Sequence, residues 1–206
     1  MSTRSVSVAM LAAWSGVWSG VWAGEAEAGE RPTWFMVEVA SGVANGGDAG
    51  AGPSLLHELS AGVTWKWHGL RFHVLVTAAM RRSSGATAYE GLLVDLSRSD
   101  LDLFLAPRLV VPVFGRGRLY AEVGSGFRYM EGRIDRGFEL GSLSAVTSVP
   151  VIVGAIGGGV RFLPSVSAGL RAELSAPIGS FDPIAHLSGQ PSNARAALLG
   201  TLGIHF

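Results

Sequence analysis

The chain contains no cysteine. That excludes disulfides, thiol nucleophiles and a lipid-modified cysteine anchor. Charge is also scarce: Asp, Glu, Lys and Arg make up 16% of the residues, against roughly 25% in soluble domains. The 16 basic and 16 acidic residues cancel, so no net field draws nucleic acid, and nucleic acid is not an expected partner. Downstream of residue 28 no apolar run approaches the roughly 20 residues that a membrane helix needs. If this chain enters a membrane, strands must cross it. Strands can do so only as a closed barrel in which every backbone group is paired.

Apolar residues, by contrast, reach 48%, and there are 29 glycines in 206 residues, a length that suits one domain. Near the N-terminus Arg4 precedes an uncharged stretch from Val6 to Trp22, followed by Ala23-Gly24-Glu25-Ala26-Glu27-Ala28. A basic start, an apolar middle and small-x-small endings describe a secretory signal peptide, cleaved after Ala23 or Ala28. A membrane helix is the alternative, but the stretch is short and is interrupted by Ser15, Gly16, Ser19 and Gly20. The expected organisation is therefore a signal peptide over 1–28 and one barrel domain over 29–206.

The rest of the chain alternates with a period of two, which sends successive side chains to opposite faces of a strand. Eight segments carry the pattern: Thr33 to Val43, Leu55 to Trp67, Leu70 to Arg81, Leu101 to Val113, Leu119 to Tyr129, Pro150 to Phe162, Val166 to Ile178, and Ala194 to Phe206. One face holds residues such as Val37, Val63, Val76, Leu103, Val123, Leu170 and Leu202, with His57 as its only ionisable group. The other face holds Glu38, Glu58, Lys66, Arg71, Arg81, Asp102, Arg108, Glu122, Arg128, Arg161, Arg171, Glu173 and Arg195. The expected fold is all-β, an up-and-down antiparallel transmembrane barrel of eight strands.

Three connections are short, at 67–70, 114–118 and 163–165. Four are long, at 44–54, 82–100, 130–149 and 179–193. Short turns on one side and long loops on the other are the asymmetry of outer-membrane barrels, and both termini fall on the short side. Tyr89 to Leu96 reads as loop or as strand extending beyond the bilayer, because a ninth strand would separate the termini. Trp34, Phe35, Trp65, Trp67, Phe72, Phe114, Tyr120, Phe162 and Phe206 gather at the short-turn ends, as an interfacial aromatic girdle would. A soluble lipocalin-like barrel shares the two-faced pattern but turns its apolar face inward. Small residues on the polar face, among them Gly62, Gly124, Gly126 and Ala106, suit a crowded lumen better than a wetted surface. Pro107 falls mid-strand, where a bulge is expected.

Counting back by twos from the last residue gives Phe206, Ile204 and Leu202, an apolar face ending on an aromatic. This terminal strand resembles the assembly signal of bacterial outer-membrane barrels. The whole mature chain resembles the OmpA/OmpX-type small barrels in architecture. That resemblance implies insertion by the barrel-assembly machinery into outer-membrane lipid, with Leu202, Ile204 and Phe206 as the signal. Members of the group have structural, adhesive, resistance-related and enzymatic roles, so the fold alone selects none of them.

An eight-stranded lumen is just wide enough for side chains to fill. The thirteen inward charges are therefore expected to form a structural network of pairs. A narrow anion-favouring pore is the alternative, since bases exceed acids. His186-Leu187-Ser188 is similar to the His-x-Ser pair of outer-membrane lipid A deacylases, which would make His186 and Ser188 a base and a nucleophile, with Asp182 a conceivable third member. Here the pair lies in a Pro/Gly-rich loop rather than on a strand. The run Gly154-Ala155-Ile156-Gly157-Gly158-Gly159 lies within a strand and forms no phosphate cradle before a helix. His73 and His205 stand on separate strands with no acid at ligand spacing, so no metal or cofactor is expected. The resulting expectation is a monomeric, non-enzymatic outer-membrane barrel whose surface loops make its contacts. A lipid A-modifying enzyme and a narrow channel are the alternatives.

Overall fold

The computed structural model describes residues 34–46, 53–67, 70–89, 91–113, 116–136, 141–163, 165–179 and 194–206. The proposed signal peptide over 1–28 lies outside them. Eight strands follow in order: β1 Trp34–Gly46, β2 Ser54–Trp67, β3 Leu70–Tyr89, β4 Leu92–Pro112, β5 Gly117–Asp135, β6 Ser142–Leu163, β7 Val166–Pro177 and β8 Arg195–His205. Each pairs antiparallel with its sequence neighbour, and β8 returns to β1 to close the barrel. Closure leaves no strand edge around the ring, which is the condition for burying a sheet in an apolar medium.

The interior and exterior are inverted relative to a soluble protein. Arg128, Arg171 and Arg195 are at most 1% exposed, while Phe127, Ile156 and Leu174 are 65–67% exposed. The polar face is therefore the inner one. This excludes the lipocalin-like arrangement, in which the apolar face would fill the inside. The outward aromatics at the turn end pack in pairs: Phe35 with Phe206 at 6.3 Å between ring centroids, and Trp65 stacked on Phe72 at 6.1 Å. Phe206 N–H donates to the Phe35 carbonyl at 2.8 Å, so the last residue seals the β8–β1 seam.

Three expectations are corrected. First, 82–89, 92–100, 130–135 and 142–149 are strand rather than loop, which agrees with the strand-extension reading of Tyr89 to Leu96 and replaces the loop reading elsewhere. β3, β4, β5 and β6 continue through them as paired strands, and Gly91 and Gly141 take positive φ of 82° and 68° at the hairpin tips. The reason is a change of phase in the apolar pattern. In the extensions Val94, Leu96 and Ile134 turn inward and are buried, while Asp95, Ser97, Arg133 and Asp135 turn outward. Lower on the same strands Asp102 and Arg128 are inward and Leu103 and Phe127 outward. The polarity reverses while the β4–β5 register holds constant from Asp95↔Asp135 to Pro112↔Arg118.

Second, Pro107 carries no bulge. It pairs with Val74 on β3, and the β4–β5 ladder passes over Ala106 and Pro107 without changing register. A proline lacks one donor on one side only, so a local gap accommodates it. The register shift lies instead between Arg161 and Leu163 in the β6–β7 pair. Third, Tyr120 does not belong to the aromatic girdle. With Leu119 and Val123 outward by strand parity, Tyr120 turns into the lumen beneath Arg108, whose guanidinium carbon lies 4.4 Å from the ring centroid.

Inward glycines allow the strands to roll tightly. A Cβ on Gly126 would stand 1.9 Å from the Leu103 carbonyl oxygen, and one on Gly62 would stand 1.9 Å from that of Val74. Outward-facing Gly154 has nothing within 4 Å of the same position. Gly126→Ala is therefore expected to lower the urea midpoint of the refolded barrel strongly or to abolish folding, whereas Gly154→Ala leaves it nearly unchanged. Equal midpoints for the two variants would contradict the inward crowding.

Candidate functional site

The lumen is the candidate site, and its charged layer forms one connected network. Arg108 and Glu122 are cross-strand partners on β4 and β5. Arg108 Nε donates to Glu122 Oε2 at 2.7 Å, and its two terminal nitrogens grip both oxygens of Glu38, from β1, at 2.9 and 2.7 Å. Arg171, on β7, donates from Nη2 to the other Glu122 oxygen at 3.0 Å and to Glu173 at 2.6 Å. Its Nη1 crosses to Glu58 on β2 at 2.9 Å. Arg195, on β8, reaches Glu173 at 3.5 Å and Asp102 at 2.8 Å. Asp102 is held by both forks of its cross-strand partner Arg128, each at 2.8 Å, and Arg128 also donates to Ser175 Oγ.

Nine of the thirteen predicted residues therefore meet: Glu38, Glu58, Asp102, Arg108, Glu122, Arg128, Arg171, Glu173 and Arg195. All are at most 5% exposed. Arg108 and Arg128 hold one acid with two prongs, the geometry in which guanidinium pairs are strongest, and Arg171 and Arg195 bridge two or more acids. Arg81 belongs to a second cluster nearer the hairpins, with Asp100 and Arg98. Arg98 and Asp100 are buried charged residues that the loop expectation for 82–100 leaves out. The inward parity of Val94 and Leu96 is the signal that would have found them.

Lys66, Arg71 and Arg161 do not enter the network. They stand on the first rungs beside the turns, and Lys66 pairs across the ladder with Arg71, a like charge. Lys66 is exposed, and Arg71 and Arg161 are half-buried. The structure thus separates a buried layer of interlinked ion pairs from a cationic mouth. An apolar cluster that includes Leu56, Phe104, Met130, Val151 and Leu199 is interleaved with the network, with Phe104 and Ala106 between Asp102 and Arg108 on β4. Arginine forks and this cluster share the lumen, as expected of eight strands.

His186, Ser188 and Asp182 lie outside the described residues. Among the described residues two other Ser–His pairs are present. On the outer face Ser41 Oγ lies 2.9 Å from His57 Nδ1. Inside, Ser167 Oγ lies 2.9 Å from His205 Nε2, and His205 packs edge-on to His73 at 6.5 Å. Among the described residues no carboxylate hydrogen-bonds either histidine, so neither pair has the orienting acid that makes a serine nucleophilic. Among the described residues no group of three His, Asp or Glu side chains is positioned to hold a metal ion.

No protein-family model matches the chain, and no curated protein matches it. Solved structures do. A major outer membrane protein from Thermus thermophilus aligns with a TM-score of 0.59 at 10% identity, over 84% of this chain and 99% of that one. The outer membrane protease OmpT from Escherichia coli aligns with a TM-score of 0.53 at 7% identity, over 88% and 99%. Neisserial surface protein A aligns with a TM-score of 0.52 at 13% identity, over 86% and 99%. The shared feature is the fold: this chain is a small barrel of the outer-membrane type.

Within the network Glu122 is the bridge between Arg108 and Arg171. Glu122→Ala removes acceptors from two buried guanidiniums and is expected to cost about 3–5 kcal/mol of unfolding free energy. Glu131→Ala, on the exposed outer face of the extension, is expected to change it by less than about 0.5 kcal/mol. Urea unfolding of both variants in lipid vesicles checks the difference. Matching curves would mean that water already solvates the network.

Proposed function

We propose that this protein is exported through a cleaved signal peptide and inserted into the outer membrane by the barrel-assembly machinery. There it acts as a monomeric, non-enzymatic barrel whose polar hairpins form its contact region. The observation that carries this reading is the reversal of polarity along β4 and β5. An outer face of Leu101, Leu103, Phe127 and Tyr129 suits lipid, and Asp102 and Arg128 behind it require shielding from lipid. A few rungs higher the pattern becomes that of a sheet in water, with Asp95, Ser97, Glu131 and Arg133 outward. The change of phase marks the edge of the bilayer within unbroken strands.

Beyond that edge β3 to β6 form one continuous four-stranded sheet. From Arg82 to Tyr89, β3 runs on for roughly 25 Å at the usual rise per residue. Binding residues are favoured on such protruding elements, held by a rigid scaffold below. The filled lumen supports a scaffold role for the barrel itself rather than a conduit.

The absence of cysteine supplies a clean test. Ser97→Cys, on the outer face of the extension, should react with a membrane-impermeant maleimide on intact cells. Ser165→Cys, beside a short turn, should react only after the envelope is opened. The unlabelled protein should fractionate with the outer membrane and migrate differently before and after boiling, because a closed barrel resists detergent until heated. Recovery from the soluble periplasm, or the opposite labelling pattern, would overturn the reading. Replacing residues 84–97 with a two-residue turn, which keeps the Arg98–Asp100 pair, should leave assembly intact and remove binding to whatever surface partner a screen identifies.

A further inference from the structure

At the turn end the lumen opens into a cavity of about 580 Å³, within the range of small-ligand sites. Its wall includes Arg71, Arg116, Arg118 and Arg161, together with Phe162 and Leu163, and no carboxylate among the described residues. The contrast with the layer above is chemical. There, four arginines meet five carboxylates, and the two acids nearest the mouth are already committed. Glu38 gives both oxygens to Arg108, and Glu122 divides its oxygens between Arg108 and Arg171. Arg71 and Arg118 therefore cannot draw a counter-ion from Glu38 or Glu122 without breaking that layer. A second observation points the same way. Arg118 also lines a small inner cavity of about 40 Å³ with His73 and Tyr120, where Glu38 is present but already paired with Arg108. Neither ring nitrogen of buried His73, nor the Tyr120 hydroxyl, has a hydrogen-bond partner. Polar groups thus continue inward from the cationic vestibule and remain available to a bound group or its waters.

We infer that this vestibule binds a phosphate-bearing anion. Guanidinium groups match phosphate oxygens through paired N–H donors, and several arginines around one cavity favour a group with more than one charged oxygen. Two sources share that chemistry: a phospholipid headgroup and a soluble phosphate. Phe162 and Leu163 are 44% and 53% exposed on the rim of the same cavity, so an acyl-glycerol could lie against them while its phosphate enters between the arginines. The lipid source rests on the membrane reading above; the soluble source does not.

The test uses the full mature chain refolded in detergent, with Arg71→Gln/Arg118→Gln as the vestibule variant and Arg133→Gln at the opposite end as control. Heat-modifiable migration verifies that each is folded. One arm measures inorganic pyrophosphate by equilibrium dialysis. The other counts retained lipid by native mass spectrometry, comparing phosphatidylglycerol with a phosphate-free galactosyl diacylglycerol. Wild type and Arg133→Gln should bind alike, and the vestibule variant should bind roughly tenfold or more weakly. Pyrophosphate binding without preference for phosphatidylglycerol supports the site and assigns a soluble ligand. Preference for phosphatidylglycerol, lost in the vestibule variant, supports the site and assigns the lipid. If wild type binds neither probe better than the vestibule variant does, the site is overturned. A folded barrel recovered only from the soluble periplasm would remove the lipid source while leaving the pyrophosphate arm to decide.

Discussion

Arg171 meets three carboxylates from three strands at once, and the barrel is organised around that convergence. A guanidinium at 0% exposure is tolerable only where its charge and donors are matched. Glu122 links it to Arg108 and so to Glu38 on β1, while Glu173 links it to Arg195 and Asp102. The acids and bases come from β1, β2, β4, β5, β7 and β8, so the network ties together strands that are not neighbours. Backbone ladders alone would allow a strand pair to slip. Sliding one strand by a single residue would carry its charges to the outer face and its leucines into the ionic layer. The network therefore penalises wrong registers as well as bracing the right one.

The remaining two strands adapt to that arrangement. β3 offers Thr77, bonded to Ser60 at 2.8 Å, and β6 offers valines and glycines. Leu75 to Ala79 on β3 and Val151 to Gly159 on β6 turn no charged side chain inward, which leaves room for Arg108 and Arg171, whose planar forks span the lumen. Gly157 makes the same point locally: a Cβ on it would stand 2.3 Å from the Tyr120 ring. The small residues of β6 are the spatial complement of the large charged ones opposite, so its weak alternation follows from packing.

Much of this was legible in the chain because the period of two is obligatory once one face is apolar. Parity alone put Glu38, Asp102 and Arg195 on one face and Leu103, Leu198 and Phe206 on the other. Parity also implied that Tyr120 points inward, and grouping it with the girdle on the strength of its ring chemistry was the error. The extensions were missed for a different reason. Residues 94–97 and 131–135 do alternate, but in the opposite phase, so a single uniform phase reads the reversal as loss of pattern. Pairing was not legible at all. Glu58 and Arg171 lie 113 positions apart, and which acid meets which base depends on stagger around the ring, which no strand records by itself. For the same reason the chain could not reveal that Lys66, Arg71 and Arg161 stand apart from the other inward charges.

That separation bears on how a filled barrel can still have two working ends. The buried ion pairs and the apolar cluster interleaved with them separate the mouth from the hairpin sheet electrostatically and sterically. A charge bound among Arg71, Arg116 and Arg118 has the committed pairs of Glu38 and Glu122 between it and the far side, and those pairs have little freedom to rearrange without exposing an unmatched guanidinium. Coupling between the ends would require an element with two comparably stable arrangements. A network in which Arg108 and Arg128 grip their acids with two prongs each has one arrangement far below the others. The hairpin sheet and the cationic mouth are thus free to carry separate interactions, each resting on the same rigid centre.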